Sequence, residues 1–518
     1  MANDDWRSEE RRKIRSAPAQ RPVVQVSPDL REAVKEITGP SLAAKVLALL
    51  PCNALPGTPE QFHELERGLV KLAREQVVAR FLLAVVAEVH KGEEFVVWTM
   101  AEARRRTPLR SRGDEEAEIL VAGGGAARIM TPYMEPVRDK SKTGPKPAPG
   151  KRGKGGGGLF PVLAALGFLG RVSPLVASEV SHSAALLGSH EEAAQVLKSQ
   201  GIDLHPDSVR RIVAGVADAG LADRESGRPI DQTFAGKRVV IGVDGGRLRC
   251  REEKGGRRRA SGYHGYETPW TEPKVFTAYV IDDAGEILRG HDLLPVYEGT
   301  LTPWKNAVEI LATTLRRHGI QEATQIAIAA DGSENIWREA ERLIELLGVD
   351  RSRVVLFVDF YHAIEHLHEV AALSSRLPGE QQQKQWARKQ GKRLKRGRVE
   401  EVLQDMEALP TANTDAAEEL RKQCQYFRAR KDRMRYDQLR RAGLPIGTGA
   451  IESVIRRVVN LRLKGPGIFW KPENAERMLY LRCRAKAGRW SEVEAALHAA
   501  ALVPPRCIRP AVLDHFAA

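Results

Sequence analysis

Three acidic residues carry the chemistry that this chain offers. Asp244 ends an apolar run in "VVIGVDGG", Asp331 ends another in "IAIAADGS", and Glu452 sits in "GTGAIES" where a helix begins. Asp331 follows Asp244 by 87 residues, and Glu452 follows Asp331 by 121. A single acid at a strand end is ordinarily a turn former or a helix cap. Two acids brought together repel unless cations bind, and hard divalent ions choose carboxylate oxygen. If the two apolar runs are neighbouring strands, about 4.8 Å apart, Asp244 and Asp331 face one site. With a third carboxylate from Glu452, such a site suits two Mg²⁺ or Mn²⁺ ions. A pair about 3.5 to 4 Å apart activates a nucleophile and stabilises a leaving oxygen in phosphoryl transfer. The ordinary alternative for Glu452 is an exposed pair with Arg456, four residues on, worth about 0.3–0.5 kcal/mol. Its first-turn position also suits the helix dipole.

The elements that must position these acids are legible as a change of texture near Lys237. Three β-rich runs, "KRVVIGVDGG", "KVFTAYVIDDAG" and "EILRGHDLLPVYEG", precede "TPWKNAVEILATTLRRHG", which has helical spacing. Two further runs, "TQIAIAADG" and "RVVLFVDFYH", each lead into helix-like sequence. The expected fold class is α/β, a mixed five-stranded sheet with helices against it. Residues 376–441 read as helices rich in Lys, Arg and Gln, an all-α insertion before the final acidic helix.

Upstream, the stretch from Phe62 to His90 has helical apolar spacing, and "EAEILVAGGGAARIMTPYM" reads as a small strand pair. "PVRDKSKTGPKPAPGKRGKGGGGLF" is too poor in apolar residues to join a core and lacks the phosphate-loop pattern, so it reads as a basic linker. Beyond it, Ser189 as a cap, a turn at Gly201 and Pro206 at a helix start resemble a helix-turn-helix. In that reading Ser208, Arg210 and Arg211 enter a groove or hold phosphates. An ordinary helical hairpin fits the same pattern. The expected divisions are a mainly helical region 1–134, linker 135–158, helix-turn-helix-like domain 159–228, catalytic core 236–375, helical insertion 376–441, final acidic helix and basic region 442–500, and tail 501–518.

With 518 residues and 42% hydrophobic content the chain can bury more than one core, and no run approaches the roughly 20 apolar residues of a membrane helix. The charged start, without an apolar segment of signal-peptide length, predicts a cytoplasmic location. Five scattered cysteines without a CxxC pair favour neither a disulfide framework nor a cysteine-based zinc ribbon. Lys and Arg number 81 against 67 Asp and Glu, a net +14 that favours a polyanionic partner, nucleic acid first. Such binding should weaken steeply with salt.

The ordered blocks "IGVDGG", "AADGSENIW", "VDFYHAIEHL" and "GTGAIESVIRRVVNLRLKGPGIFW" resemble bacterial insertion-sequence transposases of the DDE type, near the mutator-like group and the Kra-type insertion elements. The likeness covers about residues 160–490, and its last block is the most specific. It implies a ribonuclease-H-like core with a helical insertion, preceded by mainly helical N-terminal domains. It makes Asp244, Asp331 and Glu452 the catalytic, metal-binding triad. Asp359 and His362 in "DFYH" look like the aspartate or cysteine, two residues, histidine motif after the fifth strand, a support for the site. Asp359 is the rival second carboxylate, but it ends a strand one place further from Asp244. Arg456, Arg457, Arg462 and Lys464 would meet phosphates, and the Trp470 ring would stack on an unpaired base. The implied activity is binding of mobile-element ends, hydrolysis of a phosphodiester at each, and attack of the freed 3′ hydroxyl on target DNA. Two ends imply a homo-oligomer in the DNA complex, and no membrane partner is expected. The family's upstream cysteine-bearing element has no counterpart here.

Three other functions are in competition. A structure-specific DNA nuclease would share the metal chemistry and cut without joining. A catalytically inactive DNA-binding regulator would need only the helix-turn-helix and the charge. "HAIEH", His362 to His366, matches an inverted zinc protease pattern with Glu365 as base, a reading that explains neither Asp244, Asp331 nor the charge.

Overall fold

The structure is a computed structural model and describes residues 5–50, 59–137, 157–253, 265–331, 334–447, 449–508 and 510–516. Most of the expected linker, and Thr448 of the Gly-Thr-Gly turn, lie outside the described residues. The chain divides into two compact units, Met1–Asp223 with Ser491–Ala511, and Arg224–Trp490 with Val512–Ala518. No helix among the described residues is long and apolar enough to cross a membrane.

In the first unit, helices Pro59–Leu72 and Arg80–Lys91 are joined without a break by the π-helical turn Ala73–Ala79. Strands β1 (Leu109–Leu120) and β2 (Ala126–Pro136) form an antiparallel hairpin, longer than the strand pair expected. Ala117 and Ile119 of β1 are buried in a cluster with Phe160 and Leu163. Helix His190–Ser199 starts in a capping arrangement: the Ser189 hydroxyl accepts the Glu192 N–H at 3.0 Å, and the Glu192 carboxylate accepts the Gly188 N–H at 2.8 Å. Gly201, in the left-handed region at φ 88°, turns the chain, and Pro206 opens helix Pro206–Glu225.

The second unit is built on five strands: β3 (Arg238–Gly245), β4 (Lys274–Ile281), β5 (Val296–Thr300), β6 (Gln325–Ala330) and β7 (Val354–Val358). Their order across the sheet is β7-β6-β3-β4-β5. β3, β6 and β7 run parallel to one another, and β4 lies antiparallel between β3 and β5. The sheet is therefore mixed, as expected from the five apolar runs. Val239–Val243 and all of β4 are buried, which is why these strands read as continuous rather than alternating apolar runs. Helices Trp304–Arg317 and Glu334–Leu347 supply the connections that parallel strands require and pack on each other. Only the end of the third β-rich run becomes strand. Pro295 lacks a ladder N–H, and β5 starts just after it at Val296.

After β7 come helix Phe360–Leu373 and four more helices, Glu380–Lys395, Val399–Glu407, Thr414–Arg430 and Tyr436–Arg441, which share one hydrophobic core with the sheet. The acidic helix Gly449–Ile455 packs on β3 and β4 through Ile451, Val454 and Ile455. A π-helical turn, Arg456–Asn460, ends it. The two edges of the last helix, Pro472–Ala487, then meet different partners. Arg482 donates Nε–H to the Val458 carbonyl at 2.6 Å and an Nη–H to the Arg457 carbonyl, occupying backbone acceptors of the π turn. On β5, Glu298 binds both Arg224 at 3.0 Å and Arg484 at 3.1 Å, with all three side chains buried.

Candidate active site

The register of the sheet brings the strand-end acids into line. Val243 pairs with Ala330, and Ala330 pairs with Val358, so Asp244, Asp331 and Asp359 leave three adjacent parallel strands at the same level. The Asp359 N–H continues the ladder by donating to the Ala330 carbonyl at 2.9 Å. Crevices at the carboxyl ends of such strands are where open α/β sheets place ligands. A cleft of about 570 Å³ lies there, lined by Asp244, Gly245, Arg247, Glu272, Trp304 and Asp331 among others.

Each acid is held differently. The Gly245 N–H donates to the Asp244 carboxylate at 2.6 Å. The Tyr426 hydroxyl donates to the backbone carbonyl of Asp331 at 2.7 Å, tying that strand end to helix Thr414–Arg430. Asp359 is 1% exposed, and its carboxylate caps helix Phe360–Leu373 by accepting the Tyr361 N–H at 2.7 Å. It therefore does the structural work that a strand-end aspartate ordinarily does. Asp331, on the strand beside β3, is the acid nearer to Asp244 in strand order.

Glu452 sits in the first turn of the acidic helix. The approach to that helix is clamped: the Phe360 N–H donates to the Ile446 carbonyl at 2.9 Å. A Cβ on Gly447 would lie 2.6 Å from the Tyr361 ring, so a larger residue there requires that ring or the chain to shift. Among the described residues, Arg456 makes no ion pair with Glu452, so the simple helix salt bridge is not formed.

The charges feel one another. Burial pushes the Asp244 carboxyl up to about 6, the Gly245 N–H and His362 oppose this, and the Asp331 and Glu452 carboxylates add to it. Glu452 is also raised, by burial first and then by Asp359 and Glu365, against its own backbone N–H and His362. His362 shows the reverse: burial would lower it, but Asp359, Glu365, Asp244 and Asp331 together raise it. This is a pocket of uncompensated negative charge with one imidazole, a donor set that suits a hard divalent cation. The oxygens of Asp244, Asp331 and Glu452 do not all lie within 4.8 Å of one another.

The basic residues sort into two kinds. Arg456 and Lys464 are exposed, and Arg457 donates to the Tyr297 hydroxyl at 2.9 Å. Arg462 is 5% exposed and lies over the Trp470 ring at 5.0 Å. The Trp470 indole N–H donates to the Leu463 carbonyl at 3.1 Å, and its backbone bonds Arg249 and Arg251. Arg462 and Trp470 thus brace the loop after the acidic helix instead of presenting a free cation and a free ring. In the first unit, Arg211 donates to the Ser208 hydroxyl at 3.0 Å and Arg210 pairs with Asp207 at 2.9 Å, all on the exposed side of helix Pro206–Glu225.

The two histidines of "HAIEH" are tied to different partners. His362 Nδ1 lies 3.2 Å from the Glu365 carboxylate, whereas His366 Nδ1 lies 2.8 Å from the Gln423 side-chain oxygen and its ring packs on Tyr426 at 4.0 Å. Elsewhere in the second unit, Asp231 with His318 also brings an acid and an imidazole together, at 2.8 Å. That carboxylate is already bonded by Thr233 and Arg489, and it is held well below the usual range despite its burial.

Reading the sequence missed Arg247 and Glu272 in the cleft. They become visible only once β3 and β4 are paired, because Gly245 then faces Lys274 and the next positions outward bring Arg247 opposite Glu272. No known family model matches the chain, and no curated protein is similar to it in sequence.

Proposed function

We propose that the second unit is the catalytic domain of a DNA transposase, a metal-dependent polynucleotidyl transferase with a ribonuclease-H-like sheet. One observation carries this reading. Asp244 and Asp331 emerge in step from adjacent parallel strands, and Glu452, on a helix packed against β3, is close enough to raise the Asp244 carboxyl. The strand order β7-β6-β3-β4-β5, with β4 antiparallel between β3 and β5, supports the fold assignment.

Asp244, Asp331 and Glu452 are the residues that would hold Mg²⁺ or Mn²⁺. Two bound ions would lower the pKa of the attacking water or hydroxyl and neutralise the leaving oxygen. The chain's own groups do the rest. Arg247, on the cleft wall, stands ready for a phosphate, and His362, whose imidazole four carboxylates push upward against its burial, favours the ionised form of Asp244. Asp359 fixes the start of the helix that carries His362. Water is the nucleophile for cleavage and the freed 3′ hydroxyl for joining, both in the same cleft.

The test is incubation of the full chain with labelled DNA bearing element ends, in Mg²⁺, Mn²⁺ or EDTA. Metal-dependent cleavage with joined products supports a transposase. Cleavage of branched DNA without joining would favour the nuclease reading, and binding without cleavage under any metal would favour the regulator.

A further inference from the structure

The β3–β4 pair does not stop at the sheet. Leu248–Arg249 pairs with Trp270–Thr271, and Glu252–Glu253 pairs with Tyr266–Glu267, in the same register that joins Asp244 to Val275. A two-stranded ribbon therefore runs outward from the candidate active site. Its two faces are unlike. On one face Leu248 and Cys250 are buried, and the strand's edge is tied at Cys250 by a backbone bridge to Trp470, in the loop after the acidic helix. The other face carries Arg249 over the Trp270 ring at 4.7 Å and Arg251 over the Tyr266 ring at 4.9 Å. Lys464 adds a second cation 5.9 Å from the Trp270 ring.

These rings are open to solvent, Trp270 at 52% and Tyr266 at 47% exposure. Burying them would be the cheaper arrangement, since exposed cation–π contacts contribute only about 0.5–1 kcal/mol. Among the described residues, Arg249, Arg251 and Lys464 have no carboxylate partner. Arg247, two residues before Arg249 and so on the same side of the strand, lines the cleft beside Asp244. The cation and aromatic face is thus continuous with the candidate active site. At about 3.3 Å per residue, Trp270's partner Arg249 lies roughly 17 Å along the strand from Asp244. Alternating cations and open rings at this spacing match what unpaired nucleotides require: phosphates on the cations and bases on the ring faces.

We propose that this ribbon is a binding arm for unpaired DNA strand beside the cleavage site, with Trp270 as the main base-stacking platform and Arg249, Arg251 and Lys464 as phosphate contacts. It takes the stacking role that Trp470, held by Leu463 and Arg462, does not offer. The inference rests on the nucleic-acid reading of the cleft, but it does not need catalysis.

The experiment measures binding of the full chain, in EDTA, to fluorescein-labelled oligothymidylate and to a blunt duplex, for wild type, Trp270→Ala and Trp270→Phe. Trp270→Ala should bind oligothymidylate about tenfold more weakly, with less than about a twofold change on the duplex, and Trp270→Phe should retain binding. Equal losses on both DNAs, or no loss at all, would overturn the proposal, as would failure of wild type to bind oligothymidylate. The joining assay separates the two ideas. If Trp270-dependent binding is present while wild type never joins DNA, the arm stands and the transposase reading falls. If wild type joins DNA while Trp270→Ala binds oligothymidylate normally, the arm falls alone.

Discussion

At the scale of single residues, the site is a problem of like charges. Asp244, raised to about 6, is protonated more easily in the folded protein than in the unfolded chain. Its favourable contribution to stability is therefore complete below the unfolded value near 4 and is lost as pH rises through 6. At higher pH a metal ion bound in the proposed site would restore what the proton supplied. Metal-free Asp244→Asn should accordingly melt a few degrees above wild type near pH 8, on the order of 1–2 kcal/mol, and Mg²⁺ should raise the melting temperature of wild type only. Calorimetry at about pH 5 and about pH 8 checks this. Identical melting and an identical Mg²⁺ response in both proteins would remove Asp244 from the metal site. The types and spacing of Asp244, Asp331 and Glu452 were legible because acids at the ends of apolar runs stand out. The assignments of Trp470 and Arg462 to DNA were less secure, because burial and a neighbour's carbonyl leave no trace in residue type.

At the scale of elements, the position of Glu452 depends on how the chain enters its helix. Gly447 passes against Tyr361, whose helix is capped by Asp359. Gly447→Ala requires the Tyr361 ring or this entry to shift, and where the entry yields it should lower strand cleavage by about tenfold or more, as small misplacements of catalytic groups do, while melting changes by no more than a few degrees. Single-turnover cleavage beside a thermal melt measures both, and wild-type cleavage by the variant would show that the entry does not set the geometry. The five sheet strands could be read because they are covered on both faces and stay apolar. The ribbon could not, since Arg, Glu and Thr fill its two-residue strands and leave no apolar alternation, and its continuity with β3 and β4 and its backbone bonds to Trp470 appear only in the fold. The π turn after Glu452 was equally hidden, since its carbonyls are met by Arg482, which lies two dozen residues on.

At the scale of the whole molecule, a buried charge cluster fastens the last helix of the second unit to its sheet. Glu298 is held near 2 by Arg224 and Arg484 in spite of its burial, while burial pushes Glu476 up to about 7, against Arg224 and the Leu301 N–H. A glutamate with a raised folded-state pKa contributes stability that is full below the unfolded value and fades as pH rises through 7. Glu476→Gln should therefore gain on wild type near pH 8, by at most about 3 kcal/mol, and should show no gain near pH 5. Denaturant titrations at the two pH values decide it. An equal effect at both would mean that Glu476 stays ionised in the fold. No sequence pattern announced this cluster, because its parts are joined only by folding: Arg224, Glu298 and the helix that carries Glu476 and Arg484 are far apart in the chain.

The most direct measurement of the central claim is metal-dependent strand joining by wild type and Glu452→Gln on DNA with element ends, with gel mobility reporting binding separately. Wild type should join DNA in Mg²⁺ or Mn²⁺ and not in EDTA, and Glu452→Gln should lose at least about 10²-fold while DNA is still bound. Wild type and variant binding alike, with neither cutting DNA under any metal, would contradict the claim and leave Glu452 a residue of the helix start.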